Sequence, residues 1–478
     1  MVLALGAFLA LFSLWKLEQA RPTGVEAKTE WVSDTPVTMY LQNGDAPAWV
    51  VVAHGFAGSR PLMKPMAWTL ARNGYDVVAF DFEGHGANPV PMQGDVNAIE
   101  GVTKRLVDQT AKVMDWTGGT PALVGHSMAT DVIIHAAEAR DSGPVVALSA
   151  FSGAVTNQHP QSMLLIAGEW EGRLIEFGRE SITQLVPDAA EGELLTVDGV
   201  ERMALIAPAV EHVGILYSPF ALRETVAWLD RYYGVERNEI EVSAIGPWIL
   251  LLLGSLTLLW WPLSRWLPVT GEAAVVPRPA VLACAAVALA APFAVYWIDL
   301  SVLLPVLVAD YLALHLGFTG IAQLLIVRHF RVPMGRVLLL PALGILCWGL
   351  GVFGVAIHSF AANFLPNDER LLIVAALALG AVPFMAADAV ATQGGRGLLW
   401  HRLLLRSAFF ASLGLAVWLD FERLFFLILI APVILLFFLI FGLMGRWTAD
   451  RAGPLAPGIA LGLILAWSLG VTFPLFQA

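Results

Sequence analysis

Five residues, Gly125-His126-Ser127-Met128-Ala129, carry the sharpest chemical signal in the chain. They come after an apolar stretch at 121–124 and open a helical one. In that strand–turn–helix setting a serine hydroxyl is lifted to the carboxyl end of a sheet as a nucleophile. Small residues around Ser127 let the backbone turn sharply, and Ala129 stands where the G-x-S-x-G pattern has its last glycine. The rival reading is a serine that merely caps the helix. A serine is a weak nucleophile at neutral pH; it needs a base, and the base needs an orienting acid. With this turn the acid and then the histidine are expected later in the chain. Gly168-Glu169-Trp170-Glu171-Gly172 comes after one apolar strand, and Ala209-Val210-Glu211-His212-Val213-Gly214 after the last. Strand ends are where the loops of an open α/β sheet converge.

His212 is therefore the candidate base, against the plainer reading of a surface loop histidine. Glu171 is the candidate acid and Glu169 the alternative; one orienting carboxylate is needed behind the base, so only one can serve. The remaining histidines fit less well. His126 adjoins the serine but points elsewhere on a sharp turn, His135 lies inside a helix, His85 is upstream, and His159 precedes the acid. A developing oxyanion needs two preorganised N–H donors. Met128, next after the serine, and Phe56, in the loop His54-Gly55-Phe56-Ala57-Gly58-Ser59-Arg60, are the candidates for the oxyanion hole.

These groups need a scaffold that brings distant loops to one edge. Residues 36–234 alternate apolar strands (37–41, 49–53, 76–81, 121–125, 144–149, 162–167 and 202–207) with helical stretches (61–73, 96–116, 128–140, 172–185 and 219–233). That alternation predicts βαβ units and a mostly parallel sheet flanked by helices. The combination resembles the α/β-hydrolase superfamily, and within it the serine hydrolases with an HGF oxyanion loop and a D-x-x-G-H-G segment. The matching pieces are His54-Gly55-Phe56, Asp81-Phe82-Glu83-Gly84-His85-Gly86, Gly125 to Ala129, Gly168 to Glu171, and His212. The resemblance implies ester, thioester or amide hydrolysis through an acyl-enzyme, with no metal and no cofactor. Two departures stand out. The acid is Glu where Asp is commoner. Only residues 150–161 separate two late strands where many relatives insert a lid, which leaves a pocket either open or covered by the rest of the protein.

The rest of the chain is unlike this domain. Overall 57% of residues are hydrophobic and 14% charged, against about 25% charged in soluble domains. Residues 1–243 hold 30 Asp+Glu and 16 Lys+Arg, whereas residues 244–478 hold 9 acids, 12 Arg and no Lys. A net charge of −11 with no basic tract excludes a nucleic-acid binder, and two cysteines exclude a disulfide scaffold. After residue 243 eight apolar spans are expected, at 244–263, 280–298, 306–327, 337–357, 371–391, 403–419, 424–444 and 457–475. Each is long enough for a hydrocarbon layer of about 30 Å. Asp299 and Pro305 mark the least certain division, where a re-entrant segment is the alternative.

Arginine placement sets orientation. Loops on one side carry Arg265, Arg278, Arg328, Arg331, Arg336, Arg396, Arg402, Arg406, Arg446 and Arg451; the other side carries only Arg370 and Arg423. The positive-inside rule puts the first set in the cytoplasm and the hydrolase-like domain on the opposite, periplasm-like side. Residues 2–15 form a short apolar run ending at Lys16, a signal anchor in preference to a signal peptide cut near Val25-Glu26-Ala27; either would export the hydrolase-like domain. The expected organisation is thus a signal segment (1–20), an α/β-hydrolase domain (30–238) and an all-α transmembrane helix bundle (244–478).

The ionisable residues Asp299, Asp310, His315, His358, Asp388 and Asp420 lie in or near spans. They are read as interfacial or helix-pairing groups ahead of an ion pathway. Cys284 and Cys347 lack metal-ligand neighbours, and Trp248, Trp260, Trp261, Trp400 and Trp418 sit at span ends as an interfacial belt would. The layout is similar to that of the eukaryotic GPI inositol deacylases, in architecture alone. The expectation is a membrane-bound serine hydrolase whose partners are the lipid bilayer and an acylated, lipid-linked substrate. A transporter or scaffold with a ligand-sensing domain, or a serine peptidase, are the alternatives.

Overall fold

A computed structural model of the chain describes residues 1–93, 99–270, 274–298, 304, 306 and 308–477. It forms two compact units, one built mostly from Ser13–Leu250, the other mostly from Leu251–His358 and Phe364–Phe476.

The first unit is organised by a nine-stranded sheet. Its strands are β1 (Val25–Val32), β2 (Thr35–Gln42), β3 (Trp49–Ala53), β4 (Asp76–Phe80), β5 (Ala122–His126), β6 (Val145–Leu148), β7 (Ser162–Gly168), β8 (Leu195–Val197) and β9 (Val200–Ala207). Spatial order is β1-β2-β4-β3-β5-β6-β7-β9-β8. The six strands from β4 to β9 in that order run parallel, and β1, β2 and β8 pair antiparallel at the two edges. Parallel strands are buried on both faces, so they read as unbroken apolar runs rather than alternating ones. Val50–Ala53, Leu123, Val124 and Val145–Leu148 are accordingly all buried. β1 (VEAKTEWV) is mostly exposed and carries charges, which is why no apolar pattern announces it.

Helices α2 (Lys64–Arg72), α3 (Ile99–Trp116), α4 (Met128–Ala139), α5 (Gly172–Thr183) and α6 (Pro219–Tyr233) supply the crossovers and the closing element. α6 starts where local chemistry dictates: Ser218 Oγ accepts from the Ala221 N–H, and Pro219 occupies the first turn, where no N–H is needed. Between β6 and β7 the connection 149–161 contains no helix, so no lid subdomain is inserted there.

Among the described residues nine helices are long and apolar enough to cross a bilayer. The first, α1 (Val2–Gln19), runs past Lys16 to an 18-residue length, longer than its apolar run alone indicates. The others are α7 (Gly246–Ser264), α8 (Arg278–Tyr296), α9 (Ala309–His329), α10 (Leu339–Phe360), α11 (Asp368–Thr392), α12 (Leu399–Leu419), α13 (Leu427–Ala452) and α14 (Leu455–Thr472). Cys347–Phe353 within α10 is π-helical. Small residues let α9, α11 and α14 approach backbone to backbone: a Cβ on Gly380 would lie 2.1 Å from the Ala313 carbonyl oxygen, and one on Gly462 2.5 Å from the Val382 Cα. Asp299 and Pro305 lie outside the described residues.

Leu123 is fully buried at the centre of the sheet, paired with Val51 on one side and Val145 on the other. Leu123→Ala is expected to cost the first unit about 2–5 kcal/mol. The cost should appear as a lowered thermal midpoint of the detergent-solubilised chain with the α-helical circular-dichroism signal at low temperature unchanged.

Candidate active site

Six adjacent parallel strands end at one edge, and each hands a loop to it. Ser127 follows β5 with φ 55° and ψ −122°, a conformation that costs a non-glycine residue about 1–3 kcal/mol and persists only where the surroundings impose it. Its N–H donates to the Leu148 carbonyl (2.9 Å), and its side chain makes no capping bond to α4. The hydroxyl lies 2.7 Å from His212 Nε2. His212 Nδ1 lies 2.5 Å from Glu171 Oε1. The other oxygen of Glu171 accepts from Ser149 Oγ and from the Gly168 N–H, each at 2.7 Å.

The protonation pattern follows from these partners. Burial by itself would raise the Glu171 pKa, but hydrogen bonds from His212, Ser149 and Gly168 outweigh it and hold the carboxyl below its ordinary value. An ionised carboxylate only accepts, so His212 Nδ1 carries a proton, and the neutral ring presents Nε2 as an acceptor for the Ser127 hydroxyl. A side chain that can attack, a base in contact with it and an anion behind the base form one continuous chain, the arrangement that activates a serine for acyl transfer.

Glu169, the alternative acid, is turned away: its carboxylate accepts from the Ala209 N–H at 2.7 Å. Phe56 and Met128 lie on the two segments that flank the serine. Met128 is the first residue of α4. Phe56 follows Gly55, where a Cβ would lie 3.0 Å from both the Ser127 Cβ and His126 Nδ1; only a hydrogen fits between the loop and the elbow. The loop is fixed from behind. His54 donates through Nδ1 to the Gly55 carbonyl (2.8 Å), and its Nε2 accepts from the Phe82 N–H (3.2 Å). Burial holds the His54 pKa low, which keeps that tautomer neutral. Asp81, almost fully buried, accepts from the Arg60 N–H (2.7 Å), Arg60 Nε (2.9 Å) and the Ala87 N–H (2.9 Å), tying the D-x-x-G-H-G turn to the same loop.

The remaining histidines have other partners. His85 Nδ1 bonds the Glu83 carbonyl (2.9 Å), His159 Nε2 the Ile134 carbonyl (3.0 Å), and His135 lies on the α4 surface 3.6 Å from Asp131 and Glu138. His126 supports the site indirectly. Its Nε2–H donates to the His212 carbonyl at 2.6 Å, and burial, followed by the nearby His212, pushes its pKa down to about 4, so it stays neutral. Two contributors are not apparent in the sequence, Ser149 behind the carboxylate and His126 behind the base; only their position at strand ends hints at them. Among the described residues no group of three His, Cys, Asp or Glu side chains is placed to hold a metal ion.

The groups near the spans have local partners. Asp388 pairs with Arg406 (3.2 Å), Asp420 accepts from the Arg423 N–H (3.2 Å), Asp310 accepts from the Leu304 N–H (3.0 Å), and His358 Nδ1 accepts from the Phe364 N–H (3.3 Å). His315 bridges Tyr311 (3.2 Å) and Ser412 (2.9 Å), joining α9 to α12. Cys284 is packed in an apolar cluster of α8, and Cys347 is exposed. Trp418 is exposed as an interfacial belt requires, but Trp260 is buried and donates to Thr448 Oγ1 (2.9 Å), a helix-pairing contact instead.

Comparison with known proteins bears on the fold of the first unit. The sequence model of the family described as "Serine aminopeptidase, S33" matches residues 44–191. A search of curated proteins gives no match. Similar solved structures include a "predicted CIB-like hydrolase" from Thermoplasma acidophilum (17% identity, 43% of this chain and 98% of that one, TM-score 0.35). Others are a hormone-sensitive lipase from a metagenome library (14%, 46% and 91%, TM-score 0.33) and an E-2-(acetamidomethylene)succinate hydrolase (14%, 43% and 99%, TM-score 0.33). Strand order and the family match together give the first unit the α/β-hydrolase fold, followed in the chain by a helical region with several long apolar helices.

A carboxyl whose pKa is lowered by folding contributes stability that is present above its ordinary value of 4.5 and is lost as pH falls below that value through the folded one. Glu171→Gln removes this contribution. The variant is expected to lose less thermal stability than the native chain when pH is lowered from 6 to about 3, read as thermal midpoint against pH.

Proposed function

We propose that the chain is a membrane-bound serine hydrolase that cleaves an acyl ester, with a lipid or lipid-linked molecule as substrate. The supporting observation is the unbroken hydrogen-bonded chain from the Ser127 hydroxyl through His212 to Glu171. In this reading Ser127 Oγ attacks the acyl carbonyl as its proton passes to His212 Nε2. Glu171 stabilises the imidazolium that results, and the N–H groups of Phe56 and Met128 receive the oxyanion. Collapse of the tetrahedral adduct breaks the bond to the alcohol, which leaves with the proton from Nε2. Water then attacks the acyl-enzyme, again giving its proton to His212, and the acid departs as Ser127 recovers its hydrogen.

The nine apolar helices and the ten-to-two arginine asymmetry support a multi-pass protein with its hydrolase unit on the non-cytoplasmic side. Tethering at a bilayer raises the local concentration of lipid substrates. The match to a family described by its aminopeptidase activity favours one second reading, hydrolysis of an amide at a peptide terminus by the same three residues.

A fluorophosphonate probe is expected to label the native chain, and Ser127→Ala to abolish labelling; labelling that survives the substitution rules the reading out. Glu171→Gln should lower turnover by about 10³–10⁴-fold with little change in fold. Glu169→Gln should leave turnover within a factor of about three, a change of well under 1 kcal/mol in barrier. Acyl esters and aminoacyl amides compared on one preparation decide between the two substrate classes.

A further inference from the structure

The helical unit contains a group of arginines that the hydrolytic site does not use. Arg402 and Arg406 lie one turn apart near the start of α12, Arg446 lies near the end of α13, and Asp388 lies near the end of α11. Arg406 Nη2 donates to Asp388 Oδ2 at 3.2 Å, and its guanidinium lies 4.3 Å over the Phe438 ring. Two glycines mark close approaches of these side chains. A Cβ on Gly395 would lie 3.4 Å from Arg402 Nη1 and 3.6 Å from the Arg446 Cβ, and φ +81° makes glycine the favoured residue there. A Cβ on Gly442, one turn before Arg446, would lie 3.5 Å from Arg406 Nη1. Arg402 accordingly interacts electrostatically with Arg446, Arg406 and Asp388 together.

The charges do not balance. Arg406 engages the Asp388 carboxylate, and Arg402 interacts with that one anion and with two cations, Arg406 and Arg446. The nearby Asp450 interacts with Arg396 instead. Among the described residues neither Arg402 nor Arg446 has an ion-pair partner, and the Nε groups of both Arg402 and Arg406 are buried without an acceptor. Like charges brought together repel, and buried donors without acceptors are costly. An arginine placed only to mark the cytoplasmic side would extend singly into water; Arg402 and Arg406 instead hold their Nε groups out of it, and exposed Arg446 lies beside Arg402. Guanidinium forks bind tetrahedral oxyanions bidentately, and a phosphate offers more acceptor oxygens than a carboxylate does.

We infer that Arg402, Arg406 and Arg446 form a binding site for a phosphate group, either on a lipid headgroup or free in solution. The site belongs to the helical unit and does not depend on the hydrolase assignment. The test uses the full-length chain in detergent. Retention of dioleoyl phosphatidic acid is compared with that of uncharged dioleoylglycerol by native mass spectrometry, with inorganic phosphate as competitor and as a ligand in thermal unfolding. Phosphatidic acid is expected to be retained selectively, and the double variant Arg402→Gln/Arg446→Gln to weaken it by about tenfold or more. Arg402→Lys should recover only part of that loss, since it keeps the charge but not the fork, and Arg423→Gln, outside the group, should change nothing. Arg446 is exposed, so Arg446→Gln alone provides a variant whose folding is not at risk. Competition or stabilisation by inorganic phosphate identifies the phosphate itself as sufficient; selective retention without either identifies the lipid as the source. The inference is overturned if phosphatidic acid is held no better than dioleoylglycerol and inorganic phosphate neither competes nor stabilises. Undiminished binding in a folded arginine variant, or equal loss in Arg423→Gln, overturns it as well.

Discussion

The geometry of the serine loop depends on one carboxylate that stays ionised while almost out of water. Burial works against the Glu171 anion, and three donors from different parts of the chain oppose it: a serine after β6, the backbone at the end of β7, and the imidazole of His212. Two of them occupy Oε2, which leaves Oε1 for the imidazole alone. Ser149 directly follows β6 and Gly168 ends β7, its parallel neighbour, so the register of β6 on β7 sets the position of the anion. The anion fixes which nitrogen of His212 carries hydrogen, and that decides whether the ring can receive a proton from Ser127.

The sheet supplies what the loops spend. Four non-glycine residues with positive φ lie in the loops of this edge: Ala57, Ser127, Ser149 and Ala209. Each is a strained position; Ala57, Ser127 and Ser149 come after strands that are largely or wholly buried, and Ala209 after one that is half buried. The interior strands are nearly featureless runs of Val, Leu, Ile and Ala. Their uniform packing offers the rigid base against which four strained turns can be held at once.

Legibility in the sequence divides along physical lines. The three side chains that meet at the carboxyl edge can be picked out because each comes after an apolar strand, and a parallel sheet gathers such ends. Glu171 and Glu169 stand two residues apart, and strand alternation does not separate them; the turn closed by the Glu171 N–H on the Gly168 carbonyl (3.0 Å) does, with Glu169 bonding a different loop, at Ala209. Ser149 and His126 are hidden because their roles depend on three-dimensional neighbours, a carboxylate 22 positions away and a carbonyl 86 positions away. β1 is hidden because an exposed edge strand needs no apolar rhythm. Trp260 departs from the expected belt because span-end position is only a proxy for lipid contact, whereas Thr448 offers its indole a partner inside the bundle. The arginine group can be counted from the sequence, but its convergence depends on how α11, α12 and α13 pack.

His126 is covalently joined to Ser127 and grips the main chain of His212. One dipeptide thus carries the attacking group on one residue and a handle on its partner on the next. A tilt of the elbow would drag the imidazole along with the hydroxyl, so their separation is buffered against slow breathing of the surrounding loops. Tolerance of this kind keeps attacker and acceptor in step without requiring every neighbouring loop to stand still.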